Sequence, residues 1–152
     1  MTTAPRTLLA FDYGKQRIGI AVGQELTKSA TPLVTLQNSA GAVNWSAIDE
    51  LIQQWQPQAL VVGLPLNADG TEHVISRAAK QFGNQLQARY NLTIYWVDER
   101  LTSIEAQRAL TAGRGASGRK GAGGGKKARR ADKSEIDRMA AKLILESWFN
   151  QQ

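Results

Sequence analysis

The run Ala59-Leu-Val-Val-Gly63 is apolar on consecutive residues, and helical patterns lie on both sides of it. A short strand of that kind has both faces buried and needs a layer against each. Trp45, Ile48, Leu51, Ile52 and Trp55 recur at helical spacing over residues 44–55, with Pro57 as the stop. Ile75, Ala78, Ala79, Phe82 and Leu86 mark a second helix. Another strand, Leu92–Asp98, follows it. Strands that follow helices in this way run parallel to a neighbour through right-handed crossovers.

The residues upstream read differently. Thr7–Tyr13, a short Gly-Lys-Gln turn, Arg17–Val22 and then Pro32–Leu36 predict an antiparallel meander. Thr102-Ser-Ile-Glu105 has the capping-box pattern and opens a third helix to about Ala112. Ile136, Met139, Ala140, Leu143, Ile144 and Phe149 mark a fourth. The expected fold is α/β: a mixed five-stranded sheet, three strands antiparallel and two parallel, flanked by helices. At 152 residues this is one domain, residues 1–152, long enough to bury about 68–70% of its unfolded surface.

Charge is concentrated in one place. No acid occurs between Glu105 and Asp132, and that gap holds Arg108, Arg114, Arg119, Lys120, Lys126, Lys127, Arg129 and Arg130. These eight outweigh the net charge of +6, so the rest of the chain is slightly acidic. Half of the 14 glycines lie there too. With no large apolar residue from Thr111 to Ser134, burial cannot offset the entropy of ordering. The segment at about 113–133 is expected to be a flexible, basic, Gly-rich loop within the domain, suited to a polyanion such as nucleic acid. The blander reading is a solubilising insertion.

Composition excludes several chemistries. Without cysteine there is no thiol nucleophile, zinc-thiolate site or iron–sulfur cluster. A single histidine, His73, excludes an internal two-His site. No apolar run approaches the roughly 18 residues that span a membrane, and the N-terminal segment lacks a long apolar stretch of signal type. The expected location is the cytoplasm, without membrane contact, as a monomer or weak dimer.

The carboxylates sort by position. Asp49, Glu50 and Glu146 fall on polar helix faces and are expected to be solvated. Asp12 ends the apolar strand Leu-Leu-Ala-Phe, at the carboxyl edge where α/β sheets bind ligands. Asp98 and Glu99 end another strand at the same edge. Successive strand residues face opposite sides, so one of them shares a site with Asp12, and parity alone does not say which. Asp137 stands three residues after Ser134, which suits a helix-capping partner. Ala140 and Ala141 also give its helix a small-residue surface that can lie close to the sheet. Three carboxylates from two strand ends and a helix make a hard-oxygen site suited to Mg²⁺ or Mn²⁺. Two such ions roughly 4 Å apart activate water and stabilise a leaving phosphodiester oxygen. Arg17 follows the first turn and either contacts phosphate or pairs with an acid.

Four stretches carry a resemblance. Phe11-Asp-Tyr-Gly-Lys-Gln-Arg-Ile-Gly-Ile-Ala-Val22, Gly63-Leu-Pro-Leu-Asn-Ala-Asp-Gly-Thr-Glu72, Val97-Asp-Glu-Arg-Leu-Thr-Ser103, and Ile136-Asp137 through Ala140-Ala141 to Leu145-Glu-Ser147 resemble, in order, the motifs of the YqgF/RuvX family. The resemblance implies an RNase H-like fold and a nuclease, associated both with Holliday junction resolution and with maturation of the 5′ end of 16S ribosomal RNA. It implies that Asp12, Glu99 and Asp137 hold metal and carry catalysis, preferring Glu99 over Asp98. Arg17, Arg100, Arg114, Arg119, Lys120, Lys126, Lys127, Arg129 and Arg130 are the candidate contacts to nucleic acid. The expected partners are structured RNA, branched DNA and the assembling small ribosomal subunit. One departure stands out. Resolvases of the RuvC type carry a second carboxylate one turn after the helix aspartate, where this chain has Ala140.

Two other functions compete. A non-catalytic RNA- or ribosome-binding module needs the basic segment but not the acids. Asp-Tyr-Gly before a hairpin also resembles the phosphate loop of actin-like kinases and Hsp70 proteins, but those close two such domains around a nucleotide.

Overall fold

A computed structural model of the chain describes residues 6–65, 74–99 and 133–152. Five strands form one sheet: β1 Thr7–Tyr13, β2 Arg17–Gln24, β3 Ser29–Gln37, β4 Ala59–Leu64 and β5 Thr93–Asp98. Their order across the sheet is β3-β2-β1-β4-β5. β1 pairs antiparallel with β2, and β2 with β3. β4 runs parallel to both β1 and β5. The meander and the parallel pair predicted from the sequence are both present. The helices are α1 Trp45–Trp55, α2 Val74–Tyr90 and α3 Lys133–Asn150. No helix among the described residues is long and apolar enough to cross a membrane.

The period of two along β1 divides the interior. Leu8 and Ala10 join Ala59, Val61, Val97, Ile144 and Phe149 in one apolar layer, under α3. Leu9 and Phe11 face the opposite layer with Ile18, Ile20, Leu60, Val62, Ile48 and Phe82, under α1 and α2. β4 contributes to both layers, as a continuous apolar run must. Trp45 stacks on Phe82 with ring centroids 5.7 Å apart, and Trp55 packs against the same layer. Both tryptophans serve packing.

β2 is built differently on its two faces. Ile18, Ile20 and Val22 fill the α1/α2 layer, while Gly19, Ala21 and Gly23 turn towards α3. A Cβ on Gly19 would collide with the backbone at Asp137, and one on Gly23 with Leu145 and Phe149. Ala140 and Ala141 are buried on the facing helix. Small residues on both partners bring α3 close to the sheet, as expected of Ala140 and Ala141.

Some boundaries differ from the sequence reading. β3 begins at Ser29 rather than Pro32. It is an edge strand, where a residue without an N–H is tolerated, and the register shifts beside Pro32. α2 continues past Leu86 to Tyr90. Its last turn is tied to α1: Arg89 pairs with Asp49, and the Tyr90 hydroxyl donates to the same carboxylate. Asp49 is therefore ion-paired instead of merely solvated. α3 starts at Lys133, so Ser134 lies inside the helix and does not cap it. The expected helix from Thr102 to Ala112 lies outside the described residues, as does the basic segment at 113–133 except its last residue, Lys133, which opens α3.

Candidate active site

β1, β4 and β5 run in one direction, so their carboxyl ends open at one edge of the sheet. A cleft of about 560 Å³ lies there. Its floor comes from Asp12 and Tyr13 at the end of β1, Pro65 after β4 and Glu99 after β5. One wall is the β1–β2 turn, Gly14 to Arg17. The other is the first turn of α3, with Lys133, Ile136 and Asp137.

Each acid reaches the cleft for a separate reason. Asp12 continues the parity of Leu8 and Ala10 and so faces the α3 side, where it is only 7% exposed. Its partner in the β1–β2 ladder is Gly19. Gly19 is also where the backbone of Asp137 rests, so one glycine brings the strand acid and the helix acid together. Glu99 shares the parity of Val97, which packs in the α3 layer. Gly63, next to it on β4, leaves space for the Glu99 Cγ and for Ile144. Asp98 closes β5 opposite Leu64 and does not line the cleft. Of the two acids ending that strand, Glu99 is thus the one that lines the cleft with Asp12.

Arg17 resolves its two readings in favour of an acid. Its Nε donates to Asp137 Oδ2 at 2.8 Å, and both side chains are mostly buried, 23% and 16% exposed. Two further cations line the cleft, Lys15 and Lys133. Sequence reasoning overlooked both. Lys133 lies four residues before Asp137, a spacing that places two side chains on one helix face. Lys15 belongs to the same turn as Arg17. Asn38, also overlooked, holds that turn in place. Its side-chain amide donates to the carbonyls of Gly14 and Lys15 at 3.2 and 3.0 Å, and its backbone N–H to Gln16 at 2.9 Å. Across the cleft the Ser76 hydroxyl donates to the Pro65 carbonyl, tying α2 to the end of β4.

The donor chemistry suits a hard divalent cation, since every candidate ligand is a carboxylate oxygen. The grouping does not yet suit one. Among the described residues no three acidic or histidine side chains are gathered closely enough to hold a metal ion. Asp137 is also engaged by Arg17. Arg100, Arg114, Arg119, Lys120, Lys126, Lys127, Arg129 and Arg130 lie outside the described residues, as does His73.

Comparison with known proteins gives consistent results. The model of a family described as "RuvX: Holliday junction resolvase" matches residues 6–151. A protein of Nitrosococcus oceani named "Putative pre-16S rRNA nuclease" is 45% identical over 148 residues, covering 97% of this chain and 89% of its own. One of the same name from Paraburkholderia xenovorans is 47% identical over 144 residues, covering 95% and 88%. Among solved structures, T. thermophilus RuvC in complex with a Holliday junction substrate matches with a TM-score of 0.52 at 13% identity, covering 96% of this chain and 94% of that one. This last likeness is one of fold, and the fold is RNase H-like.

Proposed function

This chain belongs to the RuvX family of Holliday junction resolvases, and from that premise we propose that it is a phosphodiester-cleaving nuclease whose substrate is precursor 16S ribosomal RNA. The observation that carries the reading is the convergence of Asp12, Glu99 and Asp137, from two strand ends and a helix, on one cleft also lined by Lys15, Arg17 and Lys133. Anionic and cationic groups in one open cleft match the two demands of the reaction. The cations draw in the phosphate backbone, and the carboxylates serve the hydrolytic chemistry. The names borne by relatives at 45–47% identity support the choice of RNA.

The proposal includes dependence on Mg²⁺ or Mn²⁺, with Asp12, Glu99 and Asp137 as the ligands. It assigns the basic residues of the 113–133 segment to phosphate contacts along a longer stretch of substrate, and the work to the cytoplasm, where the small ribosomal subunit assembles. The family's own description favours a second substrate, the four-way DNA junction.

The test is cleavage of a 5′-extended 16S precursor beside a four-way DNA junction, with and without each metal, by wild type and Asp12→Asn. Metal-dependent RNA products from wild type alone are expected. Junction products instead would move the assignment to resolvase. Binding of both substrates with no cutting of either would leave a binding module.

A further inference from the structure

We propose that Arg17 is an exchangeable counterion: it occupies the Asp137 carboxylate, competes there with divalent metal, and passes to a phosphate of the incoming strand. The inference rests on the nuclease reading above and deepens it. Its starting point is the mismatch between donor chemistry that suits a cation and a grouping in which one donor is already taken.

The backbone at both ends of the pair is fixed. Arg17 is the first residue of β2, in register with Gln37, and the turn before it is held by Asn38. Asp137 sits with its peptide against Gly19. Thr35 on β3 anchors the same end of α3 by donating to the Ser134 carbonyl at 2.7 Å. Exchange therefore falls to the side chains. Aspartate is short and has little reach. Arginine has a long flexible stem and five N–H donors, and it suits phosphate as well as carboxylate.

The chemistry sets the direction. A guanidinium at 2.8 Å from Asp137 Oδ2 places a positive charge where a cation would otherwise bind. Metal and Arg17 are rivals for that oxygen. A phosphate entering the cleft meets Lys15 and Lys133 and offers Arg17 a second anion. Transfer of the guanidinium to phosphate frees Asp137 at the moment substrate arrives. Metal and nucleic acid then bind with positive coupling, and by linkage each helps the other.

Two double-mutant cycles test this. In the first, Mn²⁺ affinity is measured without nucleic acid, by titration calorimetry and by Mn²⁺ EPR. Arg17→Gln is expected to bind several-fold to about tenfold tighter than wild type. Arg17→Lys keeps the charge and is expected to stay near wild type, and the gain should vanish in the Asp137→Asn background. In the second, affinity for a short RNA duplex is measured in EDTA. Asp137→Asn releases Arg17 and is expected to tighten binding, and this gain should vanish in Arg17→Gln/Asp137→Asn. Melting curves identify any variant that fails to fold, and the remaining variants still decide the question.

Unchanged or weaker Mn²⁺ binding by Arg17→Gln overturns the proposal. So does an equal gain in the Asp137→Asn background, which would reduce the effect to bulk charge. Indifference of RNA binding to Asp137→Asn also overturns it. Wild-type cleavage that needs metal, together with any of these failures, would remove the exchange and leave the nuclease. Absence of Mn²⁺ binding in every variant would remove the exchange, and only together with absence of metal-dependent cleavage would it remove the nuclease as well.

Discussion

The peptide carbonyl of Asp137 rests directly on the α-carbon of Gly19, with no room between them for a methyl group. The contact seats α3 on β2 and fixes the height of Asp137 above the sheet edge. Because the obstructing atoms are backbone, they cannot rotate away as a side chain would. Gly19→Ala is expected to lift the start of α3 and cost about 3 kcal/mol, the upper end of ordinary overpacking. The melting temperature should fall by roughly 6–12 °C. A melt within a degree or two of wild type would mean that the helix is not seated there.

Glu99 and Asp98 are adjacent acids with different surroundings. Glu99 lines the cleft, and Asp98 ends the β5 ladder opposite Leu64. Glu99→Gln is expected to lower kcat by about 10² or more, the scale of a lost transition-state stabiliser. Asp98→Asn should stay within several-fold of wild type. Single-turnover cleavage of the same RNA by the two variants separates them, and a reversal of their order would exchange the assignment.

Asn38 braces the turn that carries Lys15 and Arg17. Asn38→Ala removes two side-chain hydrogen bonds and is expected to cost about 1–2 kcal/mol. The loosened turn should also raise KM for nucleic acid more than it lowers kcat, since phosphate positioning suffers first. Equal stability with unchanged KM would show that the turn holds its shape without this bracket.

Away from the cleft, Arg6 grips Glu25 through two hydrogen bonds of 3.0 and 2.9 Å and reaches the Tyr95 hydroxyl at 3.2 Å. The hydrogen bond from Arg6 holds the Glu25 carboxyl below its usual range. The folded state thus keeps Glu25 charged at a pH where the unfolded chain has begun to protonate. The stabilisation is full above the unfolded carboxyl range and is lost as pH falls through the folded one. Both side chains are about one-third exposed, so solvent screening limits the pair to about 0.5–1 kcal/mol. Chemical denaturation should show wild type above Glu25→Gln by that amount at neutral pH, with the gap closing in acid. A gap of equal size at both would assign it to packing instead.

The elements were legible because their causes are local. An apolar run such as Ala59–Gly63, or the 3-4 spacing of Trp45 to Trp55, is complete within a dozen residues. The carboxyl-edge placement of Asp12 followed from the strand it ends. The polar last turn of α2 was not legible, because its stability comes from Asp49 on another helix rather than from its own periodicity.

By itself, then, the sequence determined the five strands and the three described helices, the split between antiparallel and parallel pairing, and the set of acids available for chemistry. The tertiary structure decided which of them meet. Glu99 rather than Asp98 reaches the cleft because α3 covers the face that Val97 shares, and parity cannot say which face a distant helix will cover. Arg17 finds Asp137 across 120 residues of chain. Lys15 and Lys133 face one cavity only because Gly19 admits the α3 backbone to the sheet. Periodicity is a property of neighbours in the chain, whereas these meetings depend on how closely two finished elements can approach, and that is set by side chains that are not there.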